Sequence, residues 1–142
     1  MLLIYSPADS DVERHDIDKL TAVEAGAVES ALELPWATVE DNLRENAPMA
    51  MLAVLWVFRK RQEPTLRFAG FDVPDFRGSL RVAFSADEVV DLVIEMDQSV
   101  PEGHPEREAA FRHLRRLAAD ESDVDTALEG VGGKDTSSSP AA

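Results

Sequence analysis

The side chains able to do acid–base or ligand chemistry are few and scattered. The histidines are His15, His104 and His113. The first lies in an acid-rich segment, the second at a helix entry and the third on a charged helix face. Glu108 and His113 stand five positions apart, which separates them on a helix, where neighbours are three or four apart. All three therefore read as surface groups. No His-Glu-x-x-His pair, glycine-rich phosphate loop or Gly-x-Ser-x-Gly elbow occurs. Asp72, Asp75 and Asp87 lack the Asp-x-Asx-x-Asx-Gly rhythm of a calcium loop. With no cysteine, disulfides and thiolate metal sites are excluded. Since the paired acid and base groups that hydrolysis needs are missing, the chain is expected to be non-enzymatic, with no cofactor and no metal.

The other candidates are apolar and aromatic. Ala47–Phe58 is apolar on every side of a helix and stops at Arg59-Lys60-Arg61. Its twelve residues fall short of the roughly 18 to 20 needed to cross a bilayer. A helix with no polar face must be surrounded by protein, so this one is expected to be the central post of a small domain. Four short neighbours shield such a helix fully only with near-perfect packing, which leaves surface for a partner. Trp36, Met49, Met51, Trp56 and Phe58 are the candidates for core or groove lining, the two methionines because their flexibility suits an adaptable contact. Arg59, Lys60 and Arg61 would form a basic rim.

The elements that must position these residues follow from capping and periodicity. Thr21-Ala22-Val23-Glu24 has the form of a capping box and opens a helix over about 22–33, with Val23, Ala27, Ala31 and Leu34 on the face turned to the post. Leu34-Pro35-Trp36 breaks the chain and restarts it. Trp36, Val39 and Leu43 then mark a helix over about 36–45, and Pro48 opens the post over about 48–61. After Glu63-Pro64, Leu66, Phe68, Phe71, Val73 and Phe76 lie among Gly70, Pro74 and Gly78, an extended loop expected to lie along the helices. Leu80–Phe84 alternates, but Met1–Tyr5 is the one other candidate strand, so this stretch is expected to be loop. A second capping box, Ser85-Ala86-Asp87-Glu88, begins a helix over about 86–97. A last helix starts at His104-Pro105-Glu106, with Phe111, Leu114 and Leu117 on one face and Arg112, Arg115 and Arg116 towards its end.

The expected architecture is all-α: about five helices around the central apolar helix, with disordered acidic termini. Residues 1–19 form an acidic N-terminal segment, 20–119 the helical domain, and 120–142 a disordered acidic, Gly- and Ser-rich tail. With 28 acidic residues against 14 basic, the net charge is −14. This opposes binding to nucleic acid phosphates and favours a basic protein as partner. The start Met1-Leu2-Leu3-Ile4-Tyr5 has no basic leader and is too short for a secretory signal, so a cytoplasmic location is expected.

Leu20-Thr21 opening a Glu-rich helix, Leu34-Pro35-Trp36 followed by Val39, the apolar helix closing with Trp56 and Arg59-Lys60, and Pro64-Thr65 with Phe68 beyond together give a stretch that resembles the tail assembly chaperones of long-tailed (siphovirus-type) bacteriophages, especially those of actinobacterial hosts. The resemblance runs from Leu20 to about Phe76. It implies a non-enzymatic, largely helical protein that coats the tape measure protein while tail tube subunits are recruited, acts in the host cell cytoplasm and is absent from the mature virion. The partners implied are the tape measure protein and the major tail (tube) protein, with self-association as a further interaction, and neither nucleic acid nor membrane. In many such phages a longer product arises by frameshifting. Gly132-Gly133-Lys134 can be encoded by a run of G followed by a run of A, and the chain ends eight residues later, as expected of the short product of such a pair. The alternative is an acidic binding module that sequesters a DNA-binding protein, its carboxylates on one ordered face at phosphate-like spacing.

Overall fold

The computed structural model describes residues 1–137, the last six of these by backbone alone. Among the described residues there are seven helices and a three-stranded antiparallel sheet. The contacts divide the chain between Ala83 and Phe84 into two compact units.

In the first unit, Leu2–Tyr5 forms β1, with Leu3 and Ile4 both buried. Glu13–Asp16 forms β2, and after a 3₁₀ turn at Ile17–Lys19 come α1 (Ala22–Leu32), α2 (Trp36–Arg44) and α3 (Pro48–Lys60). A short helix α4 (Phe76–Ser79) leads into β3 (Leu80–Ala83). The sheet order is β2-β1-β3, with Leu3 opposite His15 on one side and Val82 on the other. Local chemistry sets the helix ends. Thr21 and Glu24 form the reciprocal capping box of α1. The carboxylate of Glu29 accepts the N–H of Trp36 at 2.9 Å, which supplies α2 with the cap that its Pro35 lacks. Asn46 takes the left-handed conformation, with φ 56°. From there its side-chain oxygen accepts the N–H of Val82 at 2.7 Å, tying the α2–α3 turn to β3. Pro48 sits in the first turn of α3, where a missing N–H leaves nothing unpaired.

Every residue of α3 from Ala50 to Phe58 is buried. At about 1.5–3 kcal/mol for each large apolar side chain, this helix contributes the dominant share of the unit's apolar burial. It packs on α1 and α2 and on strands β1 and β3. The core around it includes Leu3, Val28, Val39, Leu43 and Leu80.

The second unit has its own core. Helices α5 (Ala86–Ser99), α6 (Arg107–Leu117) and α7 (Ser122–Ser137) enclose Val89, Val93, Phe111, Leu114, Ala118, Val124 and Ala127. Ser85 and Glu88 form the capping box of α5. A backbone bridge ties the chain before α5 to the chain after α6: Phe84 donates to Leu117 and Ala119 donates to Phe84, both at 2.8 Å.

This architecture overturns the all-α expectation. Leu80–Ala83 is a strand because Leu2–Tyr5 offers it a partner, and β1 is held from its other side by Glu13–Asp16, within a segment too charged to read as structure. Three strands with one face on a helix meet the minimum for independent stability that a lone hairpin misses. The central post is therefore shielded by a sheet as well as by helices, and α5 and α6 join α7 around a separate core instead of surrounding it. Nor are the acidic termini disordered through their length: β1 and β2 lie within residues 1–19, and α7 occupies Ser122–Ser137. Residues 138–142, the end of the expected tail, lie outside the described residues. The buried face of α1 also differs from the expected one. Val23 is exposed, and α1 meets the core through Val28, with Ala27, Ala31 and Leu32 beside it.

Candidate functional site

Trp56 organises the surface above α3. Its ring is buried, and its indole N–H donates to the carbonyl of Leu66 at 3.0 Å. Phe68 stacks on it with ring centroids 5.4 Å apart, and the Lys60 ammonium lies 4.8 Å from the ring centroid on the solvent side. A helical tryptophan thus pins the loop after Pro64 by one polar and one aromatic contact. Lys60 has no carboxylate partner among the described residues.

Pinning the loop leaves a furrow between it and α1. Two open hollows of about 610 and 510 Å³ share Ala31 and Phe68. Leu52, Met49 and Phe71 line the first, and Ala27, Trp56, Lys60 and Leu66 the second. The furrow exists because α1 turns only the small residues Ala27, Ser30 and Ala31 towards it, so no large side chain of that helix fills it. Met49 is 56 % exposed at its end, a large apolar side chain held in water.

The other two basic residues after the apolar run are engaged within the unit. Arg59 pairs with Glu13 of β2 and lies over the Tyr5 ring. Arg61 donates to both oxygens of Glu24, at 2.7 and 2.8 Å, and lies over Phe58. That fork holds the Glu24 carboxyl at about 2, well below its ordinary 4.5, with the Thr21 hydroxyl and N–H adding to it. His15 stacks on Phe58 at 4.6 Å, and burial there lowers its pKa despite the neighbouring Glu13.

Of the residues singled out in the sequence, Met49, Trp56 and Lys60 line the furrow. Met51 and Phe58 are buried in the core. Trp36 is half-buried, packed against that core from α2. Arg59 and Arg61 clamp α3 to β2 and α1. The sequence places Leu66, Phe68 and Phe71 in a loop along the helices but does not show them walling a furrow. Their spacing of two to three residues among glycines carried the signal, without showing which helix would receive them. Among the described residues, no three His, Asp or Glu side chains come together as a metal site, and no helix is long and apolar enough to cross a membrane.

Comparison with protein-family models, with curated proteins and with solved structures finds no match.

Proposed function

We propose that this protein is a tail assembly chaperone of a long-tailed bacteriophage, a non-enzymatic protein that holds the tape measure protein while tail tube subunits gather around it. The observation that carries the reading is where the residues of the resemblance lie. Glu24, which Thr21 caps, is clamped to Arg61; Trp56, Lys60 and Phe68 stack together; Pro64 and Thr65 line the furrow with them. Trp56, Lys60, Pro64, Thr65 and Phe68 thus bound one channel, open to solvent and edged by a lysine that has no carboxylate partner among the described residues. Such a channel suits the apolar stripe of a long helical chain by helix-in-groove contact. The net charge of −14 would keep the loaded complex dispersed. In this reading the protein works in the host cell cytoplasm and is absent from the finished particle.

The test is co-expression with the longest helix-rich reading frame downstream of the protein's own gene. The tape measure protein is expected to become soluble and to co-purify, and Met49→Glu, at an exposed position, is expected to weaken recovery at least fivefold while leaving the chaperone folded. If the tape measure protein gains no solubility from the parent chain, the reading is wrong.

A further inference from the structure

The second unit carries a groove of its own, and we infer that the seam between α5 and α7 is a docking site for a basic amphipathic helix of a partner protein. Ala86, Val90 and Ile94 recur at every fourth position of α5, the spacing of one helix face, and line one wall. Thr126, Ala127 and Gly130 of α7 line the other, and the hollow between them is about 400 Å³. Val90 is 40 % exposed. A seam between two packed helices presents a groove that takes the ridge of a third. α5 has 14 residues, about 21 Å at 1.5 Å per residue, room for roughly four turns of a partner.

Charge selects the sign of that partner. α5 carries five carboxylates and no Lys or Arg, and the described side chains of α7 carry Asp123, Asp125 and Glu129 without a basic residue. Asp97 and Asp125 are paired with Arg107 and Arg115. Asp87, Asp91, Glu95, Asp123 and Glu129 are in no ion pair among the described residues. On the helical wheel, Asp87 and Asp91 stand at the outer edge of the α5 wall and Glu129 beyond the α7 wall, so both rims of an apolar floor are negative. A helix with an apolar stripe flanked by Lys or Arg complements floor and rims together. This inference is independent of the furrow in the first unit and of the tail assembly reading.

Gly130 makes the test clean. A Cβ there meets no atom within 4 Å, so Gly130→Leu projects a side chain into the groove without disturbing the fold, and leucine favours helix over glycine. The probe is a fluorescein-labelled 18-residue helical peptide with Leu at i, i+3, i+4 and i+7 and Lys on the other positions. A control peptide carries Glu in place of Lys. By fluorescence anisotropy against the full chain in 50 mM NaCl, the Lys peptide is expected to bind with a Kd of roughly 1–50 µM, in keeping with a contact below the standard interface size. The Glu peptide should bind at least tenfold more weakly. Gly130→Leu and Thr126→Lys should each weaken the Lys peptide at least tenfold, with the melting temperature of Gly130→Leu no lower than that of the parent. The inference is overturned if the two peptides bind alike, if Gly130→Leu and Thr126→Lys both bind as the parent does, or if sedimentation shows that the groove is filled by a second copy in a dimer that Gly130→Leu dissociates.

Discussion

Replacing Trp56 by phenylalanine separates the two contacts by which the furrow's wall is held. Phenylalanine keeps an aromatic ring against Phe68 but removes the indole N–H that Leu66 accepts at 3.0 Å. Leu66 is half-buried and the bond is part-buried, so its loss is expected to cost about 1 kcal/mol. The smaller ring leaves a partial void at a site 7 % exposed, and this adds on the order of 1 kcal/mol. The loss of about 2 kcal/mol corresponds to roughly thirtyfold in the folding equilibrium. Both tryptophans, Trp36 and Trp56, lie in the first unit, so the remaining Trp36 reports on that unit alone during urea unfolding. The midpoint should fall with the slope unchanged. Because the contact is to the loop, amide exchange at Leu66 and Phe71 should accelerate more than at Val54 in mid-α3, since local opening precedes global unfolding. If Trp56→Phe lowers stability while the loop amides keep their protection, Trp56 is an ordinary core residue and the furrow's wall is held by something else.

Glu24→Gln tests the clamp on Arg61. The shift of Glu24 from 4.5 to about 2 would correspond to roughly 3 kcal/mol if unscreened, but Arg61 is 47 % exposed and water reduces the expected loss to about 1 kcal/mol. The folded pKa is the lower one, so this stability is present above pH 4.5 and is lost as pH falls towards 2; the gap between the urea midpoints of parent and variant should be smaller at pH 3 than at pH 7. His15 has its pKa lowered by burial against Phe58, so its neutral form is the folded one. Stability should decline as pH drops below 6.5, and His15→Phe, which keeps the stack, should abolish that component of the decline between pH 7.5 and 5. Asn46→Ala should cost about 2 kcal/mol in urea unfolding, one part for the bond to Val82 and one for the left-handed backbone, whereas Asn46→Gly should lose about 1 kcal/mol because glycine accepts the backbone freely.

The helices were legible where local chemistry wrote them. Thr21 with Glu24 and Ser85 with Glu88 are both reciprocal caps in the structure, and Pro48 opens α3 as its position implied. These are signals contained within four residues. The candidate contact residues were legible as types but not as a surface: Met51 and Phe58 differ from Met49 and Trp56 in what covers them, and that depends on α1, on the loop and on the sheet. The orientation of α1 is not legible in the sequence because its alanines offer little contrast between faces. Val28 is buried and Val23 exposed although the two have identical side chains.

The sheet was hidden for a different reason, which concerns how charge is used. Glu13-Arg14-His15-Asp16 is β2, an edge strand, and an unprotected edge invites pairing with other chains, which charged side chains discourage. The same residues also attach it to α3: Glu13 pairs with Arg59, and His15 stacks on Phe58. Composition cannot distinguish a charged edge strand from a solvated tail, because the difference lies in partners 43 to 46 positions away. At the opposite edge, β3 has an N–H covered by the Asn46 side chain, again from a residue that looks like turn. A four-residue strand with no apolar alternation is therefore held here both by its ladder to β1 and by the cation and aromatic face that α3 supplies at its closing turns. The Arg59-Lys60-Arg61 run that reads as a helix terminus also assembles the unit, since Arg59 holds the sheet, Arg61 holds α1, and Lys60 between them is left for the furrow.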